Sequence, residues 1–157
     1  MKYLFDFVLV LTAIFALAAP AFSAQNDEIA TGTVQTDEII EIFISDGSNN
    51  NYHFSRKPEN SEFKLEYQPI SQEQSSSGIY NGGQPQSINL NAEKAEKLQQ
   101  QILELGTKPE LHLKNREMGS VQIIIVRFSG REKFILSQTD AAENLCADLK
   151  KLMNSHP

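Results

Sequence analysis

The chain has 157 residues, a formal net charge of −6 and a single cysteine. The negative charge and the scattered lysines and arginines exclude a general nucleic-acid binder, because a duplex partner requires a basic face. Cys146 has no second cysteine with which to form an internal disulfide, so packing alone must hold the fold together. The length suits one domain with a single hydrophobic core.

The N-terminus has the layout of a secretory signal peptide over residues 1–23. Lys2 precedes an apolar run at residues 7–19, and small residues follow. Cleavage is expected after Ala21 or Ser23, each with alanine three positions back, rather than after Ala24, which would place bulky Phe22 at that position. An uncleaved anchor is the alternative, although the apolar run is shorter than the roughly 20 residues that span a bilayer. The sequence thus predicts an exported protein, periplasmic or secreted, with no membrane association after cleavage.

The rest of the chain divides into a leader, a domain and a tail. Residues 24–37 are polar and lack a clear period, which predicts a flexible leader. Residues 38–153 carry the periodic segments and are predicted to form one domain. Residues 154–157 are predicted to be a disordered tail.

The domain is predicted to open with a β-hairpin. Ile40, Ile42 and Ile44 alternate along residues 39–44, which predicts a half-buried strand with these three side chains on one face. Residues 46–51 are rich in Gly, Ser and Asn, so the chain is expected to reverse there into a second strand.

Residues 63–68 give the clearest period-two signal in the chain. Phe63, Leu65 and Tyr67 are expected to face the core, and Pro69 ends the strand or places it at a sheet edge. A loop without regular structure is predicted over residues 71–85.

A helix is predicted at residues 92–105, with Asn91 as the N-cap and Gly106 as the stop. Its apolar stripe consists of Ala95, Leu98, Ile102 and Leu105. In the connector that follows, residues 111–113 are expected to form a short strand.

The most continuously apolar run of the domain, residues 121–128, predicts the central strand of the sheet. A turn at Ser129 and Gly130 leads into a strand at residues 131–136, which completes a second hairpin.

A second helix is predicted after Asp140, which with Glu143 resembles a capping box. Its apolar stripe consists of Ala142, Leu145, Leu149 and Leu152. We therefore predict an α+β fold: a small antiparallel sheet, built from two hairpins and an additional strand, covered on one face by two amphipathic helices.

The sequence lacks the residue clusters that enzymes and metal sites require. The histidines, His53, His112 and His156, are isolated, and the serines at 75–77 lack the Gly-x-Ser-x-Gly elbow. Cys146 borders the second apolar stripe and is expected to pack as a hydrophobe, with a reactive thiol or an intermolecular disulfide as alternatives. We predict no catalytic residue, no cofactor and no metal; a hydrolase is the weakest of the functional alternatives.

The candidate functional element is the loop at residues 75–83. An apolar and an aromatic residue lie there among glycines and polar residues, and Tyr, Ser, Gly and Asn dominate protein-binding loops. The alternative is that Ile79 and Tyr80 fold back to cap the core. The connector at residues 114–120 is either a second rim of this surface or a solvated linker. The candidate partner-binding residues are Ser77, Gly78, Ile79, Tyr80, Asn81, Gly82 and Gly83.

Two functions remain after these exclusions. The element order over residues 38–153 resembles that of emfourin-type protease inhibitors, small domains built from hairpins and two helices, although no diagnostic motif matches and no residue role is transferred. The first hypothesis is a non-catalytic module that presents the loop to an unknown protein partner, for example as an enzyme inhibitor. The second is a structural or self-associating envelope component that pairs through a strand edge near residues 63–68.

Overall fold

The computed structural model describes residues 38–57, 62–75, 78–80 and 82–155. The predicted signal peptide, the predicted leader and the last two residues lie outside these ranges, as do Ser77 and Asn81 of the candidate loop. Within the described ranges, no helix is both long and apolar enough to cross a membrane.

The described residues form one antiparallel sheet and two α-helices that pack on it, which confirms the predicted α+β class. The strands are β1 (Ile39–Ser45), β2 (Asn51–Arg56), β3 (Phe63–Gln68), β4 (Gln86–Leu90), β5 (Val121–Arg127) and β6 (Gly130–Leu136). The helices are α1 (Ala92–Gly106) and α2 (Asp140–Asn154). The strand order across the sheet is β4-β3-β2-β1-β5-β6, and every neighbouring pair is antiparallel.

The core lies between one face of the sheet and the two helices. Alternate residues of the strands supply its sheet side, among them Ile42, Ile44, Tyr52, Phe54, Leu65, Ile123 and Ile125. The predicted stripe of α1 is buried as expected. In α2, Ala142, Leu145 and Leu149 are buried as predicted, whereas Met153 completes the stripe and Leu152 is only partly buried.

The predicted inward face of β1 is wrong at its first residue. The register between β1 and β5 shifts between Ile39 and Glu41, which marks a bulge. A bulge places an extra residue on one strand and reverses the alternation beyond it. Ile39 is therefore buried and Ile40 only half-buried, while Ile42 and Ile44 are buried as predicted.

β5 is not the central strand that the sequence predicted, and of the two expectations for Pro69 only the strand end is confirmed, since β3 finishes at Gln68. β5 is flanked by β1 and β6, and the two central strands are β1 and β2. β3 is not an edge strand, because β4 pairs along it from Phe63 opposite Leu90 to Tyr67 opposite Gln86. β4 itself was not predicted, since its five residues include only two apolar ones. The exposed edge belongs to β4.

The opposite edge of the sheet is partly covered by the connector that precedes β5. The Leu113 N–H donates to the Ile135 carbonyl at 2.7 Å, and the Ser137 N–H donates to the Leu111 carbonyl at 2.8 Å. The predicted strand at 111–113 is thus reduced to a single bridge between His112 and Leu136.

The N-cap of α1 agrees with the prediction, whereas its C-cap is Thr107, one residue beyond the predicted stop at Gly106, and the N-cap of α2 also differs. The Asn91 side chain accepts from the Lys94 N–H at 2.9 Å and caps α1. In α2 the N-cap is Thr139, whose hydroxyl accepts from the Ala142 N–H, and Asp140 is the first helical residue.

Candidate functional site

Three connecting segments meet at the end of the sheet where β1 finishes and β2 begins. They are the turn between β1 and β2, the loop between β3 and β4, and the connector that precedes β5. Together they line an open groove of about 540 Å³, which we call the three-loop groove. Its lining includes Asn49, Gln74, Tyr80, Arg116 and Met118.

A buried asparagine holds the β1–β2 turn and the β3–β4 loop together beneath this groove. Asn50 is only 1% exposed. Its Nδ2 donates to Oδ2 of Asp46 and to the hydroxyl oxygen of Tyr80, both at 2.9 Å. Its Oδ1 accepts from the Ile70 N–H at 3.1 Å. One side chain therefore bonds to the β1–β2 turn and to two points of the β3–β4 loop.

The Asp46 carboxylate closes the turn from the other side. Its Oδ1 accepts from the Ser48 and Asn50 backbone N–H groups, each at 2.9 Å. Asp46 as a whole residue is only 4% exposed. The two hydrogen bonds therefore replace the water that its carboxylate would otherwise bind. Its role here is structural.

A second anchor fixes the C-terminal part of the loop at Gly82. The Tyr67 hydroxyl donates to the Gly82 carbonyl at 2.6 Å, and the Gly82 N–H donates to the Ile70 carbonyl at 3.2 Å. A Cβ atom at Gly82 would lie 2.3 Å from Oδ1 of Asn50, so only glycine permits this approach. Burial, followed by electrostatic interaction with Tyr80 and Asp46, raises the pKa of Tyr67, so its hydroxyl stays protonated and serves as a donor.

Ile79 and Tyr80 were expected either to point outward as contact residues or to fold back onto the core, and the two residues behave differently. Ile79 is 82% exposed, as an outward-facing contact residue would be. Tyr80 is 40% exposed, but its hydroxyl oxygen accepts the bond from Asn50 and ties the residue to the turn. Tyr80 is therefore an anchor that remains partly exposed.

Two glycines of the candidate set provide backbone conformations that other residues adopt only with strain. Gly78 has φ 66° and Gly83 has φ 99°, both in the left-handed region. The Gly78 carbonyl also accepts from Nε2 of Gln72 at 2.7 Å. The loop is thus braced by side chains at several points between β3 and β4.

The connector that precedes β5 forms the opposite wall of the three-loop groove. Nη2 of Arg116 donates to the Asp46 carbonyl at 2.9 Å and to Oγ of Ser45 at 3.0 Å. The Gly119 carbonyl lies 2.7 Å from where a Cβ on Gly47 would be, so turn and connector are in backbone contact. Met118, at 97% exposed, projects from this wall and was not singled out in the sequence. A lone apolar residue in a polar connector carries no periodic signal.

Among the described residues, His53, His112 and Cys146 do not join the groove's polar network. Within the described ranges there is no group of three or more His, Cys, Asp or Glu that could hold a metal ion. His53 lies on the sheet face away from the helices and stacks on Phe43 at 4.4 Å. A ring nitrogen of His112 donates to the Leu105 carbonyl at 2.9 Å, and His156 lies outside the described residues.

The Cys146 thiol is partly buried and packs against the core, as the sequence predicted. Burial, and then the nearby Asp46 carboxylate, raises the pKa of Cys146 to about 11. A thiol with such a pKa is almost entirely neutral near pH 7, and the neutral form is a poor nucleophile.

No protein-family model matches this chain, and no curated protein matches it either. The groove combines a backbone held by side-chain hydrogen bonds, a polar rim and two highly exposed apolar side chains beside it.

Proposed function

We propose that the protein is a non-catalytic protein-binding module that presents the loop at residues 75–83, together with the three-loop groove, to a protein partner. One mode of action is enzyme inhibition, in which the loop enters the enzyme's cleft. The observation that carries the proposal is the pairing of exposure with rigidity: Ile79 and Met118 are the two most exposed large apolar side chains described, and both project from braced segments.

Bracing favours binding because a preorganised loop loses little conformational entropy when it docks. The bonds from Asn50 and Tyr67 fix the loop on the β3–β4 side, and Arg116 fixes the opposite wall. Buried apolar anchors at the centre of an interface, surrounded by a polar rim, supply most of the binding free energy in known complexes.

The groove's chemistry indicates the kind of partner surface that fits. Ile79 is a branched apolar side chain that would fill a small apolar pocket on the partner. Met118 is flexible and polarisable, and adapts to irregular apolar surfaces. Arg116, Glu117 and Gln74 on the groove offer charged and polar groups for hydrogen bonds at the rim. A protein surface with an apolar pocket and a polar border is therefore the expected target.

The test replaces Ile79 and Met118 by serine, one at a time, and captures partners from envelope and culture fractions. Each Ser variant is expected to bind the captured protein at least tenfold more weakly, about the cost of a hot-spot truncation. Tyr80 is left intact because its hydroxyl holds Asn50. The matched control is Phe128→Ser, which removes another exposed apolar side chain, 65% exposed, from the β5–β6 turn at the far end of the sheet.

Retention of the partner by parent and control, but not by the Ile79→Ser variant, would support the proposal. Equal capture by all variants, or capture by none including the parent, would refute it. Where the captured protein is an enzyme, its turnover with a standard substrate is measured with parent and Ile79→Ser added in turn. Inhibition by the parent alone would identify the inhibitory mode.

A further inference from the structure

The two edges of the sheet are protected to very different degrees. The outer side of β6 receives the backbone of residues 111–113. On the outer side of β4, by contrast, no strand or bridge is formed by any residue of the described ranges. Ser87 and Asn89 of β4 are exposed.

The register identifies which backbone groups of β4 point outward. The Lys57 N–H donates to the Glu62 carbonyl at 2.9 Å, and this pair continues the β2–β3 register without a break. Hydrogen-bonded and non-hydrogen-bonded pairs alternate along an antiparallel ladder. Leu65, three residues after Glu62, therefore directs its N–H and carbonyl to β4.

Leu65 is opposite Ile88, so Ile88 is bonded to β3. Its neighbours Ser87 and Asn89 must then direct their N–H and carbonyl groups away from the sheet. These groups form a short row of donors and acceptors at an exposed edge.

β4 lacks three of the features that commonly block edge pairing: a charged side chain, a proline within the strand and a bulge. Its residues are Gln, Ser, Ile, Asn and Leu, with no charged side chain and no proline. Its register with β3 is continuous, so there is no bulge. Natural edge strands commonly carry Lys, Pro or a bulge because an unprotected edge pairs with other chains.

We propose that β4 pairs antiparallel with β4 of a second copy of this chain, about a twofold axis at Ile88. In this register Ser87 lies opposite Asn89 of the second copy, and each N–H donates to the carbonyl of the other. Every outward backbone group of Ser87 and Asn89 is satisfied, and the two sheets become one continuous sheet. The β4 edge is a different surface from the three-loop groove, which no β4 residue lines.

A second copy suits this edge because the strand is complementary to itself. The two Ile88 side chains meet on the core face in a non-hydrogen-bonded pair, where the Cα atoms are about 4.5 Å apart and side chains approach most closely. On the other face Ser87 lies beside Asn89, so polar side chains pair with polar ones. No like charges are opposed, because the strand carries none.

Charge-swap variants test this register directly on protein purified from cells that express the full-length sequence. Ser87→Lys with Asn89→Lys places lysine opposite lysine across the twofold axis, and Ser87→Glu with Asn89→Glu places glutamate opposite glutamate. Each variant alone is expected to raise the dimer dissociation constant about tenfold or more. An equimolar mixture is expected to restore dimers, since lysines then face glutamates. The control is Gln99→Lys with Gln100→Lys, which adds the same charge on α1.

Sedimentation velocity over a concentration series gives the oligomeric state, and amide hydrogen exchange locates the contact. The Ser87 and Asn89 amides are expected to gain protection as the protein concentration rises. The Ile88 amide, already bonded to β3, is expected to show no such change. A monomer at every concentration, a dimer unaffected by the Lys and Glu variants, or a mixture that fails to re-associate would each overturn the proposal.

Discussion

Replacing Asn50 with alanine is expected to destabilise the domain strongly and to release the β3–β4 loop. The substitution removes three side-chain hydrogen bonds at once: to the Asp46 carboxylate, to the Tyr80 hydroxyl and from the Ile70 N–H. It leaves the Asp46 carboxylate and the Ile70 N–H short of partners in a poorly solvated site. A buried polar group that is left without a partner costs more free energy than the net stabilisation that the hydrogen bond provided.

The magnitude follows from the number and type of bonds. A neutral bond contributes about 1 kcal/mol and one to a charged group about 1.5 to 3 kcal/mol, so Asn50→Ala should cost roughly 3 to 5 kcal/mol. Small domains are typically stable by only about 5 to 15 kcal/mol. Tyr80→Phe removes the acceptor of one bond from Asn50, while Asn50 keeps its hydrogen bond to Asp46. The free energy of unfolding is therefore expected to fall by about 1 kcal/mol.

Urea unfolding followed by far-UV circular dichroism measures these differences, since the chain has no tryptophan to report by fluorescence. The matched control is Asn51→Ala, because Asn51 is exposed and its side chain makes one long bond, 3.3 Å, to the Asn49 carbonyl. That variant should stay within about 0.5 kcal/mol of the parent. An Asn50→Ala variant no less stable than Asn51→Ala would refute the role assigned to Asn50.

Two further predictions concern Gly82 and Cys146. Gly82→Ala should destabilise the domain by about 1 to 3 kcal/mol because the added Cβ overlaps Asn50. The loss of stability in urea unfolding should be larger than for Gly78→Ala, where the added Cβ meets no atom within 4 Å and only the left-handed backbone is unfavourable. Equal costs for the two would contradict the close packing. Cys146 should react with iodoacetamide at pH 8 about 100-fold more slowly in the folded protein than in the urea-unfolded chain, because its pKa is raised from 9.0 to about 11. The thiol of the unfolded chain ionises at a lower pH than the thiol of the folded protein. The stability that depends on a neutral Cys146 is therefore complete below pH 9.0 and is lost as the pH rises through about 11. A Cys146→Ala variant should show a smaller alkaline loss, and equal labelling rates in both states would refute the raised pKa.

Sequence periodicity predicted the parts of the fold that neighbouring residues determine. The stripe of α1 and its cap at Asn91 are local features and were confirmed. The two hairpins were confirmed because each combines alternating residues with a turn. β4 was missed because an edge strand with one polar face needs few apolar residues, and its pairing with β3 supplies the stabilisation that its own sequence does not show.

The site was predicted less completely than the fold. Composition identified the loop, but Asn50 contacts Tyr80 across 30 residues of sequence and Ile70 across 20, and no local pattern encodes such a contact. The same holds for Arg116, whose bonds to the β1–β2 turn span about 70 residues. Residues in the turn were interpreted as turn formers, which is correct for Asp46 but omits the anchoring role of Asn50.

Antiparallel pairing of β4 has a geometric consequence for the three-loop groove. The groove lies at the end of the sheet where β3 finishes and β4 begins, since Ile70 and Tyr80 of the intervening loop line it. Two antiparallel β4 strands start at opposite ends of the joined sheet, so the two grooves would face opposite directions. A compact monomeric partner could then occupy only one groove at a time, and each dimer would bind two partners independently, without avidity. The Lys variants of Ser87 and Asn89 should therefore weaken the dimer about tenfold or more while leaving the affinity of each groove for its partner unchanged.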